Sequence, residues 1–336
     1  MRIYYHTDQL PAFSRAVITI GTFDGVHTGH AQILQQLRQE AARIDGETVI
    51  ITFYPHPRKI VRGGTAEVQL LNTLEEKIQL LSWQRVGHLV VVPFTAAFSE
   101  MTAGQYVKDF LLARFHPHTV IIGYDHRFGK GRLGDYHLLE EFSRSEGFEL
   151  QEIPVHLLDA VSVSSTRIRE AIAGADIESA NQLLGYPFFF SGQVMQGRQL
   201  GRTIGFPTAN LKVGSPDKLI PGDGVYAVEV EIVDAGSVSL TAPDAAPANG
   251  TAGVFWGGMR WKGMMNIGMR PTVDGRERTI EVNIFDFNED LYGRELRVFV
   301  NKYLRGEEKF NGLDALKAQL ARDKENSLAA LSGNGR

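Results

Sequence analysis

Two regimes of apolar patterning divide the chain. Up to about residue 184, short β-branched runs alternate with stretches whose apolar residues recur every three or four positions. Ala16–Ile20, Glu47–Phe53, His88–Phe94 and Thr119–Gly123 read as buried strands. Between them, Ile33, Leu34 and Leu37 mark one helix. Ile78, Leu81 and Val86 mark a second, after the cap Asn72-Thr73 and the acidic first turn Glu75-Glu76. A third helix is expected from Ala103 to Phe115. The prolines of Tyr54-Pro55-His56-Pro57 cannot donate ladder hydrogen bonds, so the second strand ends there. Strands alternating with helices predict an α/β, Rossmann-like, doubly wound parallel sheet with right-handed crossovers.

Beyond Leu184 the pattern turns to short strands separated by Gly-rich turns. Strands are predicted at 188–194, 224–233, 253–267, 278–287 and 296–304, with a last helix over 313–322 and a frayed end at 332–336. An antiparallel β-barrel with a C-terminal helix fits this spacing. The expected division is therefore a domain at 1–184 and a second at 185–336. Residues 235–252, rich in Ala, Pro, Ser and Gly, read as a mobile connection.

Composition narrows the chemistry. A chain of 336 residues with 43% apolar residues can build two cores. It has no cysteine, which removes thiolate metal sites, disulfides and cysteine nucleophiles and fits a reducing compartment. The net charge of −4 argues against a nucleic-acid partner. No run reaches membrane-spanning length and no signal peptide is visible, so no membrane partner and a cytoplasmic location are expected.

Candidate chemistry gathers in four stretches. After the first strand comes Gly21-Thr22-Phe23-Asp24-Gly25-Val26-His27-Thr28-Gly29-His30. A strand, a Gly-containing turn and a helix start form an anion-binding arrangement. The spacing of His27 and His30 puts both imidazoles on one side of the helix, and Gly29 leaves room for close backbone approach. No Lys closes this loop, so it is not the Gly-Lys-Ser/Thr phosphate loop. Gly123–Arg132 leaves the fourth strand at the same sheet edge, where ligands bind in such folds. Val161–Glu170 opens a helix with Arg167 and Arg169 in its first turns, where the helix dipole disfavours cations and phosphate oxygens favour them.

In the second half, Gly201 and Gly205 let amides approach phosphates, and Arg202 adds charge. Pro207 then sets the backbone before Thr208 and Asn210, whose neutral oxygens point the same way in an extended segment and suit Mg²⁺. Glu281 shares a strand face with Thr279 and Asn283, open either to solvent or to use as a general base.

The first loop looks like the His-x-Gly-His signature of the nucleotidyltransferase superfamily. Together GTFDGVHTGH, GYDHRFGKGR, VSSTRIREAI, GRQLGRTIGFPTANL, PGDGVYAV, NIGMRPTVDG and FNEDLYGRELRVFVNKYLRGEEKF resemble the prokaryotic bifunctional riboflavin kinase/FMN adenylyltransferase family, in its order and over nearly the whole chain. The resemblance implies a nucleotidyltransferase-type sheet that adenylylates FMN, followed by a riboflavin kinase barrel. It implies ATP-phosphate contacts from His27 and His30, with Gly21, Phe23, Asp24 and Gly29 in the same loop. It implies flavin contacts at Asp125, Arg127 and Phe128, and nucleotide contacts at Ser164, Ser165, Thr166 and Arg169. In the barrel it implies nucleotide contacts at Gly201, Arg202, Gly205 and Pro207, metal contacts at Thr208 and Asn210, and Glu281 as base. Asn283 departs from the family, which often has His there. Riboflavin, FMN and ATP are the implied substrates, Mg²⁺ the cofactor, and FMN and FAD the products. The rival readings are a nucleotidyltransferase for another phosphorylated substrate joined to an unrelated barrel, a class I aminoacyl-tRNA synthetase, and a flavin- or nucleotide-binding regulator without chemistry.

Overall fold

A computed structural model of the chain describes residues 1–61, 68–123, 126–153, 163–197, 200–233, 258–272 and 275–332. The expected connection at 235–252 lies outside them. Contacts divide the chain into two compact units, with the break between Ser164 and Ser165.

The first unit is built on six parallel strands: β1 (Arg2–Tyr4), β2 (Val17–Ile20), β3 (Thr48–Tyr54), β4 (His88–Pro93), β5 (Thr119–Gly123) and β6 (Glu149–Ile153). Their order is β1-β4-β3-β2-β5-β6. The helices are α1 (Thr28–Ile44), α2 (Pro57–Val61), α3 (Leu74–Ser82), α4 (Ala96–Ser99), α5 (Ala103–Gln105), α6 (Ala113–Phe115) and α7 (Tyr136–Glu146), and a π-helical stretch, Tyr106–Leu112, joins α5 to α6. Every residue of β2 is buried, as expected for a parallel strand covered on both faces. Ile18, Ile20, Val49, Ile51, Val120 and Ile122 pack in one core with Val107, Phe110 and Phe115. The chain winds one way from β2 to β3 and the other way to β5, so β2 and β5 flank the point where strand order reverses. Both candidate loops of this unit leave those two neighbouring strands.

Helix α3 starts where its cap predicts. The Thr73 hydroxyl accepts the Glu76 N–H at 3.3 Å, and the Glu76 carboxylate accepts the Thr73 N–H at 2.9 Å. Val86, read with its apolar face, lies past the helix end and is buried there.

The second unit opens with α8 (Ser165–Ala173) and α9 (Ile177–Leu184), then β7 (Phe188–Met195), α10 (Leu200–Thr203), β8 (Ala209–Lys212), β9 (Gly224–Val233), β10 (Arg260–Thr272), β11 (Gly275–Ile284), β12 (Glu295–Arg305) and α11 (Leu313–Ser332). The strands close an antiparallel barrel in the order β10-β11-β8-β7-β12-β9. Helices α8 and α9 count with the barrel because they pack on it. The Asn181 side chain accepts the Phe188 N–H at 2.7 Å and donates to the Val300 carbonyl at 2.9 Å. Helix α11 runs ten residues past its expected end. Its buried positions there include Asp323 and Ser327, polar residues that hide the helical period. No helix among the described residues is long and apolar enough to cross a membrane.

Candidate active sites

At the end of β2 the Gly21 N–H still pairs with the Ile51 carbonyl, and the chain then turns sharply. Phe23, Gly25 and Val26 have φ of 47°, 91° and 37°. Left-handed geometry suits Gly25; for Phe23 and Val26 it costs about 1–3 kcal/mol each, so the surroundings must hold it. They do: Phe23, Asp24 and Val26 are buried, and one oxygen of Asp24 accepts the N–H groups of Leu71 (3.0 Å) and Asn72 (3.3 Å). The turn delivers His27 as the residue before α1, with no capping bond from its side chain.

The His27 and His30 rings stack with centroids 3.7 Å apart and planes 17° from parallel, and the Phe23 ring lies 5.0 Å from His30. A Cβ on Gly29 would stand 3.3 Å from His27 ring atoms, so glycine here serves the packing of that imidazole. His30 Nδ1 is buried with no hydrogen-bond partner among the described residues. Burial first, then the nearby His27 and Lys77, push the His30 pKa well below the usual imidazole range. Lys77, on α3, is itself buried, and desolvation lowers its pKa while Asp24 opposes the shift. Sequence reasoning passed over Lys77. The signal was a lysine on the apolar stripe of α3, beside Leu74, Ile78 and Leu81.

After β5, Asp125 lies outside the described residues. The Arg127 guanidinium pairs with Asp135 at 3.0 Å. Phe128 is buried, its ring 5.1 Å from Tyr106, and its backbone N–H and carbonyl both bond to Gly134. Phe128 thus anchors the loop in the core. In the second unit, Ser165, Thr166 and Arg169 lie in the first half of α8, directly after Ser164. Ile168 and Ile172 are the buried side of that helix.

The barrel brings its candidates together. Gly201 and Arg202 lie in α10, and the Gly201 carbonyl accepts the Phe206 N–H at 2.9 Å. A Cβ on Gly201 would overlap the Phe206 carbonyl, and Gly205 has φ 83°. Strands β8 and β11 pair Asn210 with Glu281 and Ala209 with Val282. The Thr208 hydroxyl donates to one Glu281 oxygen at 3.2 Å, while Arg270, from β10, pairs with the other. Sequence reasoning missed Arg270. The Asn283 amide donates to the Pro207 carbonyl at 2.6 Å. A cavity of about 410 Å³ borders this network, lined in part by Gly205, Pro207, Asn283, Asp286 and Lys324. The Glu281 carboxylate is thus held from both sides, by a hydroxyl and a guanidinium, close to the Gly-rich turn.

Comparison with known proteins finds two family models matched in succession along the chain. Residues 10–167 match the family model described as FAD synthetase, and residues 184–331 the one described as riboflavin kinase. The bifunctional riboflavin kinase/FMN adenylyltransferase of Escherichia coli (strain K12) is 37% identical over 308 residues, 92% of this chain and 90% of that protein. The protein of the same description from Listeria monocytogenes is 35% identical over 332 residues, 97% of each. A solved structure titled a macrolide-efflux protein from Streptococcus pneumoniae superposes with a TM-score of 0.81 at 28% identity, covering 97% of each chain.

Proposed function

The chain belongs to the bifunctional riboflavin kinase/FMN adenylyltransferase family, and we propose which residues run each of its two reactions. It phosphorylates riboflavin with ATP to give FMN and ADP, and adenylylates FMN with a second ATP to give FAD and pyrophosphate. We assign the second step to the first unit and the first step to the barrel.

In the adenylyltransferase, the FMN phosphate is already an anionic nucleophile, so no strong base is needed. Its oxygen attacks the α-phosphorus of ATP and the bond to the pyrophosphate breaks. The backbone N–H groups of the first turn of α1, with the His27 and His30 imidazoles, bind and orient the triphosphate and stabilise the leaving group. Neutral at pH 7, the His30 ring offers an N–H donor and gains a positive charge only when an anion offsets its desolvation. Arg127 supplies a guanidinium on the flavin side.

In the kinase, Glu281 takes the proton of the terminal ribityl hydroxyl as its oxygen attacks the γ-phosphorus, and ADP leaves. Gly201, Gly205 and Pro207 shape the backbone that meets the phosphates. Thr208 and Asn210 fit Mg²⁺: both offer neutral hard oxygens, and Gly197 lies so close to the Asn210 amide that a Cβ would overlap it. A cation of this kind is completed by substrate phosphates and water rather than by an all-protein cage. Bound there, Mg²⁺ would neutralise charge on the transferred phosphoryl oxygens. Both reactions draw on ATP, and a cytoplasmic location suits them.

The observation that carries this assignment is the Thr208–Glu281 contact beside the Gly-rich turn. Its test is a time course of riboflavin, FMN and FAD at matched folded concentration. Glu281→Gln should cut FMN formation by about 10²–10⁴-fold and leave FAD formation from supplied FMN running. His30→Ala should do the reverse, so that FMN accumulates. Parental FMN production by the first variant, or parental FAD production by the second, overturns that residue's role.

A further inference from the structure

We propose that Asn283 is a positioning residue of riboflavin phosphorylation, and that its amide sets the Thr208 hydroxyl against Glu281 by holding the Pro207 carbonyl. This rests on the reading of Thr208 and Glu281 as kinase residues.

The backbone ladder between β8 and β11 ends at the pair Ala209–Val282. One residue further along β11 stands Asn283; one residue back from Ala209 stands Thr208, preceded by Pro207. Proline has no N–H, so backbone pairing cannot continue through it. The Asn283 side chain takes over: its Nδ2 donates to the Pro207 carbonyl at 2.6 Å. Thr208 is thereby fixed on both sides. The carbonyl before it is tethered to β11, and the residue after it lies in the ladder to the same strand. Only the side-chain torsion remains free, and the hydroxyl rests 3.2 Å from the Glu281 carboxylate.

Strand β11 therefore carries both the carboxylate and the tether, two residues apart on one face. The distance between Thr208 and Glu281 is then set within a single rigid strand. Asn283 is buried, where an amide is costly unless its hydrogen bonds are made, so its presence in a packed barrel calls for a partner such as this one. Being neutral, it fixes this geometry without altering the charge beside Glu281.

The test uses the full chain with riboflavin, ATP and Mg²⁺. Asn283→Ala removes the tether, and Asn283→Asp keeps the shape but sets a carboxylate oxygen against a carbonyl. Both should lower kcat for riboflavin phosphorylation by about tenfold to a hundredfold, because small misplacements of reacting groups cost that much. The KM for riboflavin should stay within about twofold, since binding is not the lesion. Asn283→His, which keeps an N–H at similar reach, should restore most of the rate. FMN adenylylation and thermal melting, measured on the same preparations, separate this from a loss of folded protein. Parental kcat in Asn283→Ala, a loss matched by the fall in folded fraction, or failure of Asn283→His to recover activity would each overturn the tether. Glu281→Gln is assayed alongside. If it keeps the parental rate, the site reading itself falls and this inference with it; if it is inactive while Asn283→Ala is unimpaired, only the tether falls.

Discussion

His30 is a buried imidazole whose neighbours, His27 and Lys77, make a second positive charge unwelcome. Its folded pKa lies below the unfolded value of about 6.5, so below that pH the unfolded chain binds more protons than the native one. Stability should therefore be unaffected above about pH 6.5 and fall as pH drops through the window beneath it. Melting temperatures of the parent and His30→Gln across that window check this: the variant should lose less, and parallel curves would refute it. A His-x-Gly-His spacing is legible in sequence because its partners lie within one helical turn. That Lys77 and Arg270 meet these sites is not legible, because each arrives from another element, on α3 and on β10. Asn283 stood out only as a departure from a resemblance. The role proposed for it required knowing that Pro207, just before β8, lies opposite it.

Among elements, strands β2 to β5 are legible because both their faces are buried, which makes them continuous β-branched runs. Strand β6 (ELQEI) sits at the sheet edge, half exposed, and its charges erase the signal. Helix α11 is the larger surprise. Asp323 is buried and takes a forked bond from Arg305 on β12, with Nε 3.0 Å from Oδ1 and Nη2 2.7 Å from Oδ2, while Gln319 adds a bond at 2.8 Å. Breaking one side of such a pair strands a buried charge. Arg305→Ala should cost about 3–5 kcal/mol, whereas the double change Arg305→Met with Asp323→Leu should be near neutral or stabilising. Denaturant unfolding of the three proteins checks it, and equal losses in both variants would contradict it.

At the scale of the whole molecule, the sequence showed a change of regime near Leu184, yet contacts break between Ser164 and Ser165. The pattern marks where helices stop; packing decides which core they serve. Ile168, Ile172, Ile177, Leu183 and Leu184 are buried in α8 and α9, and Asn181 bonds to both β7 and β12. A fragment beginning at Val163 should accordingly fold and phosphorylate riboflavin without making FAD. One beginning at Gly185 should be much less stable, since it loses those apolar contacts and leaves the Phe188 N–H and Val300 carbonyl without Asn181. Equal melting temperatures for the two fragments would count against this boundary. The barrel's closure also has a consequence in time. Strand β7, the first of the ring to be synthesised, hydrogen-bonds to β12, the last, at pairs such as Phe190 with Val298. The seam cannot form until the ribosome has passed residue 300, whereas β6 of the parallel sheet is complete at Ile153. During translation the parallel-sheet unit can thus form its sheet while the barrel still waits with open strand edges. A nascent chain stalled before Glu295 would expose those edges to proteases and chaperones, which makes the last strand the step that commits the barrel.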